Sequence, residues 1–542
     1  MINKAATDCS SEQSQRHECF GGTARHKTVI DRLRRENKNS LLLDGGDQFQ
    51  GSLFFTYYNG TINSEVMNLL GYNVTAIGNH EFDKGPDVLT SHYSRLTMPI
   101  VCANINTTLN PTIGRYIKPY HIFEEYNLAV IGYITDTAGG ISNSGPTLQF
   151  EDPIPIVQHY TNELRKMGIK RILTVSHNGY DADKELAAKT HGIAVHVGGH
   201  SHTLLSNDPK SKDYPLAKGP YPTVVKNAKG DDVLIVQAFW SGKYIGRLDV
   251  SFDEEGKLIE FSGAPILVGQ SIPPDTAVEK LVKKWRAPFK KYAETIIGYA
   301  NLPFEYNCQK HRECAMGNLV TDSILWSMRK ILKVHAAFIN SGGIRAGILK
   351  GNVTLNDILT ILPFGNELVK LKLTGQNITD LLESAVSRGI NKISGKKVTS
   401  FIQVSGLRFV LDSSKPIYHR VQEVQIQNNE SKLFEELDLE KVYDIITLDF
   451  VANTGDGLLP ELNQEIISLG TVDSAVISYI QSQGTIEPHY DARIRDLTTS
   501  LLVNEKPFSP HEPVHFGYMK SNLNDLVRED ELVSQEDESL LV

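Results

Sequence analysis

Carboxylate, amide and imidazole side chains stand where four apolar runs of the sequence stop. Asp47 follows LLLDGG, Asn79 and His80 follow VTAIG, His177 follows LTVS, and His200 and His202 follow VHVGG. These are the oxygen and nitrogen ligands that zinc, manganese or iron accept. A single His after a strand is usually a hydrogen-bonded loop residue. Ligand-type residues repeated at four strand ends argue instead for one shared metal centre. Glycines beside them, in GGDQ, GNHEFDKG and GGHSH, let the backbone turn sharply and approach a bound ion or substrate.

The elements that must carry these residues follow from the hydrophobic pattern. The runs at 40–46, 73–80, 128–133, 171–179 and 193–202 read as buried strands ending in polar or Gly residues. Amphipathic stretches at 27–36 and 156–167 lie between them. This alternation predicts an α/β domain with its functional groups at strand ends, where open α/β sheets hold their ligands. Residues 275–294 are charged and helix-like, with Pro288 inside, and follow the turn-forming SIPP; they read as a connecting helix. The expected organisation is a metal-binding domain over 1–272, a linker over 273–297, a second α/β domain over 298–497, and an acidic, disordered tail over 498–542.

Composition narrows the function. A length of 542 residues predicts more than one folding unit, and 40% hydrophobic with 22% charged residues excludes a mainly disordered chain. The net charge of -9 gives no support to a nucleic-acid polymer or an anionic membrane as partner. No run of about 18 apolar residues predicts a transmembrane segment or an anchor-directing tail. The first twenty residues lack an apolar h-region. Six Asn-x-Ser/Thr sequons, at Asn59, Asn73, Asn106, Asn352, Asn377 and Asn429, and two close cysteine pairs, Cys9 with Cys19 and Cys308 with Cys314, fit a secretory context. Cys102 remains alone in an apolar stretch.

At these residues the chain resembles the ecto-5'-nucleotidase and apyrase family. GDQ at 46–48, GNHEFD at 78–83, His177 within SHNG, and GGHSH at 198–202 resemble calcineurin-like metallophosphoesterase motifs. HRECAMGNL at 311–319, NSGGIRAG at 340–347, ILPFGN at 361–366 and FVANTGDG at 450–457 resemble the family's C-terminal nucleotide-binding domain. The resemblance implies an N-terminal metallophosphoesterase β-sandwich flanked by helices, a linker helix and a C-terminal α/β domain. It implies two divalent ions, with zinc expected, bridged by Asp47. Asn79, His177 and His200 would complete one site and His202 would bind the other ion. His80 would assist phosphoryl transfer with Asp83 orienting its imidazole. In the second domain Phe364 and Phe450 would stack on a purine, although ordinary core packing is open to both. Asp456 would accept from ribose hydroxyls, Asn340 would touch the nucleoside, and Arg345 would hold phosphate. A further phosphate-binding Arg is usual in the Cys308–Cys314 loop; here Lys310 or Arg312 must take its place.

One departure bears on the metal centre. The family opens with an Asp-x-His strand, and no Asp-x-His precedes Asp47 here. One ion therefore keeps its expected ligands while the other retains Asp47 and His202, and the reading is of a chain missing its first strand and, with it, a signal peptide. The expected activity is metal-dependent hydrolysis of extracellular nucleotides, AMP to adenosine and phosphate first. An apyrase acting on ATP and ADP is the alternative, and a metal-poor nucleotide-binding protein the alternative of another class. The expected location is secreted or at the cell surface, and a homodimer is admissible.

Overall fold

The computed structural model describes residues 1–3, 8–9, 11–49, 52–308, 312–462, 464 and 468–498. The expected acidic tail lies outside them, apart from its first residue. In the first half the strand signals resolve into two sheets. A parallel four-stranded sheet runs in the order Leu43–Asp44, Val74–Ala76, Ile100–Val101, Ile117–Lys118. A mixed six-stranded sheet runs Thr223–Lys226, Asp232–Val236, Val195–Val197, Arg171–His177, Leu128–Ile134, Tyr120–Phe123. Its central strands read as continuous apolar runs because both faces are covered. Val74, Ala76 and Val101 of the smaller sheet pack on Val130, Leu173, Val175 and Val195 of the larger one. The sheets approach so closely at Gly132 that a Cβ there would lie 2.1 Å from the Val101 carbonyl oxygen. Helices Thr23–Glu36 and Pro153–Lys166 cover the predicted amphipathic stretches, and Tyr180–Lys189 follows the strand Arg171–His177. A long antiparallel hairpin, Tyr244–Phe252 with Leu258–Leu267, ends the domain.

The single connecting helix expected over 275–294 is two: Thr276–Arg286, capped by the Asp275 side chain on Val278 N, and Lys290–Ala293. The break falls at Pro288, whose ring cannot donate the backbone hydrogen bond and crowds the preceding turn. Beyond it a five-stranded sheet in the order Ile402–Ser405, Ala336–Asn340, Val442–Leu448, Glu367–Thr374, Ser468–Thr471 organises the second domain. Helix Ala315–Arg329, buried along most of its length, packs against it. Cys314 Sγ accepts from Gly317 N at that helix's start, and Cys314 is bonded to Cys308. The second cysteine pair, Cys9 and Cys19, is also bonded, and Cys102 is buried and free.

The domains meet along a seam. Leu53, with Phe289 and Ala293 of the linker and Leu359 of the second domain, forms a small apolar cluster across all three parts of the chain. Tyr58 donates to the Trp285 carbonyl at 2.8 Å. Among the described residues no helix is long and apolar enough to cross a membrane.

Candidate active site

The strand ends of the first domain converge as expected. Asp47 follows Leu43–Asp44 in a turn at φ 60°, and its Oδ2 lies 2.9 Å from His177 Nε2 at the end of Arg171–His177. His177 Nδ1 is 2.6 Å from the Gly45 carbonyl, so that nitrogen donates and Nε2 is left to face the carboxylate. The His200 ring sits 5.0 Å from that of His177. Asn79 is buried on the neighbouring turn, and Asp47 Oδ1 accepts from the backbone N–H of His80 at 2.9 Å. His202 completes the group, stacked at 5.2 Å and 7° on Trp240. Asp47, His177, His200, His202 and Trp240 all line one cavity of about 1850 Å³, whose walls include Leu43, Leu173, Val195 and Val197.

Three of these residues hold backbone conformations that side chains rarely adopt: Asp47 at φ 60°, His200 at 72° and His202 at 51°. Each costs about 1 to 3 kcal/mol, and such strain concentrates at functional sites. Electrostatics agree. Burial disfavours charge on Asp47, but His177 and His80 outweigh it and hold the carboxyl well below its usual range. Burial likewise opposes charge on His177, yet Asp47 raises it to about 9. Burial pushes His200 and His202 down to about 3, leaving both neutral.

Among the described residues, no three His, Cys, Asp or Glu side chains close on one point as a finished metal cage. The donor chemistry nonetheless fits a divalent ion. Asn79 Oδ1 is buried with no hydrogen-bond partner, and His177 Nε2, although close to Asp47, makes no well-directed hydrogen bond. Buried polar atoms are almost always satisfied, and an orphan amide oxygen near a carboxylate and imidazoles offers donors of the kind a divalent ion takes.

The second predicted group crosses the seam. His80 Nδ1 is 2.8 Å from Asp83 Oδ2, which leaves Nε2 as the acceptor for Arg345 Nη2 at 3.3 Å. The imidazole lies over the Phe364 ring at 5.3 Å and 22°, and Lys84 Nζ donates to the Phe364 carbonyl at 3.3 Å. Burial lowers the His80 pKa, Asp83 and Asp47 more than reverse that, and Arg345 opposes them, for a net rise. Deeper in the second domain the buried Asp456, at φ 56°, accepts from Asn340 Nδ2 at 2.7 Å and Thr399 Oγ1 at 2.8 Å. Each carboxylate oxygen keeps a further lone pair. Phe450 is half-buried against the domain core, beside Gly455. Of the two Phe residues, Phe364 is the one whose ring lies against His80. Lys310 lies outside the described residues, and the Arg312 carbonyl accepts from Gln403 Nε2 at 2.9 Å.

Sequence reasoning missed Glu81. Its Oε2 accepts from Asp47 N at 2.9 Å and Gly78 N at 2.7 Å, and its Oε1 from Gln48 N at 2.6 Å. Glu81 thus ties the Asp47 turn to the turn bearing Asn79 and His80. Burial and the Asp47 charge push its carboxyl up to about 7. The signal was present in GNHEFD, but a Glu between two better ligand types passes as a spacer.

Comparison with known proteins shows the family of both halves of the chain. Residues 7–204 match the family described as calcineurin-like phosphoesterase, and residues 296–464 match the 5'-nucleotidase C-terminal domain. The 5'-nucleotidase of Rattus norvegicus is 33% identical over 504 residues, covering 88% of this chain and 85% of that protein. A snake venom 5'-nucleotidase of Naja atra is 33% identical, covering 88% and 93%. The crystal structure of a 5'-nucleotidase precursor from Thermus thermophilus superposes with a TM-score of 0.83 at 36% identity, covering 89% and 94%.

Proposed function

Since the chain belongs to the 5'-nucleotidase family of metal-dependent phosphoric monoester hydrolases, we propose that it converts AMP to adenosine and phosphate outside the cell. The observation that carries the reading is the meeting of His80, held by Asp83, with Arg345 and Phe364 of the other domain. A nucleoside monophosphate has a base, a ribose and a phosphate to place across such a seam.

In this reading Asp47, Asn79, His177 and His200 hold one ion, and Asp47 with His202 begins the site for a second. Zinc suits imidazole nitrogens combined with carboxylate and amide oxygens. When bound, the ions polarise the phosphoryl group and lower the pKa of the attacking water. The chain's own groups do the rest. Arg345 offers its planar fork to the phosphate oxygens. Asp83 holds the His80 ring through Nδ1, and Nε2, which accepts from Arg345 in the free protein, takes up a proton and donates it to the 5' oxygen as the P–O bond breaks. Phe364 and Phe450 contribute aromatic faces to the purine, worth about 1 to 3 kcal/mol per stacked ring, and Asp456 accepts from the ribose hydroxyls. The two disulfides support an extracellular setting.

The test is phosphate release from AMP, ADP and ATP by the full chain, with metal content measured on the same preparation. Release from AMP, with about two zinc ions per chain, loss on chelation and return with zinc are expected. Release only from ADP and ATP would replace the reading with an apyrase. One ion or none, with no release from any nucleotide, would make the chain a nucleotide-binding protein.

A further inference from the structure

Trp240 sits in a turn whose local signal is Ser241-Gly242, with Gly242 at φ 65°. Its neighbours on both sides hold positive φ, Phe239 at 68° and Ser241 at 53°. For a residue as bulky as Phe that is an outlier costing about 1 to 3 kcal/mol. Surrounding contacts hold the turn in place. Phe239 N donates to the Thr203 carbonyl at 3.1 Å, one residue beyond His202, and Lys243 N donates to the Trp240 carbonyl at 3.2 Å. The Phe239 ring meets Tyr244 edge-on at 6.2 Å, and Lys243 Nζ lies 5.9 Å from its centroid. His26 Nε2 lies 2.6 Å from the Gly242 carbonyl.

The anchored turn presents the indole. Its ring lies parallel to the His202 imidazole at 5.2 Å and 7°, and it also meets Tyr306 of the second domain at 6.0 Å. His202 itself is at φ 51°, and among the described residues its ring has no carboxylate or carbonyl partner, unlike His177 with Gly45 and His80 with Asp83. A metal-binding imidazole normally has its orientation set by a hydrogen bond from its second nitrogen. Here a flat aromatic surface is the group in position to do so.

We propose that Trp240 is a positioning residue, which fixes the His202 ring by stacking and so sets the affinity of the ion that His202 holds. The inference rests on the reading of His202 as a ligand, and the experiment separates the two. Metal-stripped full-length protein is titrated with zinc against a chromophoric chelator, alongside His202→Ala, Trp240→Ala and Trp240→Phe. A second readout is the emission of Trp240 alone, in a Trp285→Phe, Trp326→Phe background, during the same titration. His202→Ala is expected to lose one ion. Trp240→Ala is expected to weaken zinc binding about tenfold, the usual cost of losing a group that orients a ligand. Trp240→Phe, which keeps a flat ring, should return to within about twofold of wild type, and Trp240 emission should change with the same midpoint as binding. An unchanged ion count in His202→Ala would overturn the ligand assignment on which the inference stands. Loss of an ion in His202→Ala with wild-type affinity in Trp240→Ala would overturn the inference alone. So would a Trp240→Phe protein as weak as Trp240→Ala, or Trp240 emission indifferent to zinc.

Discussion

Removing the Glu81 carboxylate tests whether the two ligand-bearing turns are one mechanical unit. Glu81 is 3% exposed, and its two oxygens accept three backbone N–H groups, from Asp47, Gln48 and Gly78. In Glu81→Gln the amide keeps one oxygen. Aimed at Asp47 and Gly78 it satisfies both, but the new NH2 then faces the Gln48 N–H, donor against donor. Leaving one buried donor unsatisfied costs about 1 to 3 kcal/mol. Glu81→Ala removes all three acceptors. Water entering from the adjoining cavity satisfies part of the loss, so the expected cost is about 3 to 5 kcal/mol. Urea unfolding of the metal-free proteins should rank wild type, Glu81→Gln and Glu81→Ala in that order. Release of phosphate from AMP should fall about 10- to 100-fold in Glu81→Gln, as for other groups that orient metal ligands. Equal stability in all three proteins would refute the reasoning, as would full activity in Glu81→Ala, because the turns would then hold their shape without this carboxylate.

Other expectations follow from the same contacts. Asp47→Asn should reduce phosphate release below about 1% of wild type; an unchanged rate would mean the metal assignment is wrong. Arg345→Ala should raise KM for AMP about tenfold, equivalent to about 1.4 kcal/mol, with Arg345→Lys recovering part of the loss because a point charge replaces a planar fork. An unaltered KM in Arg345→Ala would remove this residue from the phosphate subsite. In the second domain the hydrogen bond to Asp322 raises His489, with burial opposing it. A raised imidazole stabilises the fold below its unfolded pKa of about 6.5, and that contribution disappears as pH rises through the folded value. The side chain is 48% exposed, so the effect is at most about 1 kcal/mol. Thermal melts of His489→Gln should show a weaker decline than wild type as pH rises above about 6.5, and parallel curves would contradict the assignment.

Much of the site was legible because its ligands end apolar runs. LLLDGG, VTAIG, LTVS and VHVGG each mark a strand by hydrophobicity and its end by polarity, so Asp47, Asn79, His177, His200 and His202 could be assigned to strand ends of one domain before any contact was known. The contacts across the seam were not legible. Nothing in residues 80–84 says that His80 will lie against Phe364, or that Lys84 will reach its carbonyl, since those partners are about 280 residues away. Trp240 was missed for the same reason. Its turn carries a Ser-Gly signal at 241–242, but it also needs positive φ at Phe239, which no local pattern announces and the surrounding packing holds. The continuous charged pattern of 275–294 hides the break at Pro288, which divides the expected linker helix in two.

The apolar cluster that joins Leu53, Phe289, Ala293 and Leu359 gives the relation between the domains a dependence on temperature. Parting the seam would hydrate these side chains, and hydrating apolar surface raises the heat capacity. Attraction of this kind weakens on cooling. The contact between the domains should therefore loosen in the cold while each domain stays folded. Substrate entry and product escape would then respond to cooling differently from the bond-breaking step, and an Arrhenius plot of turnover should bend where one overtakes the other.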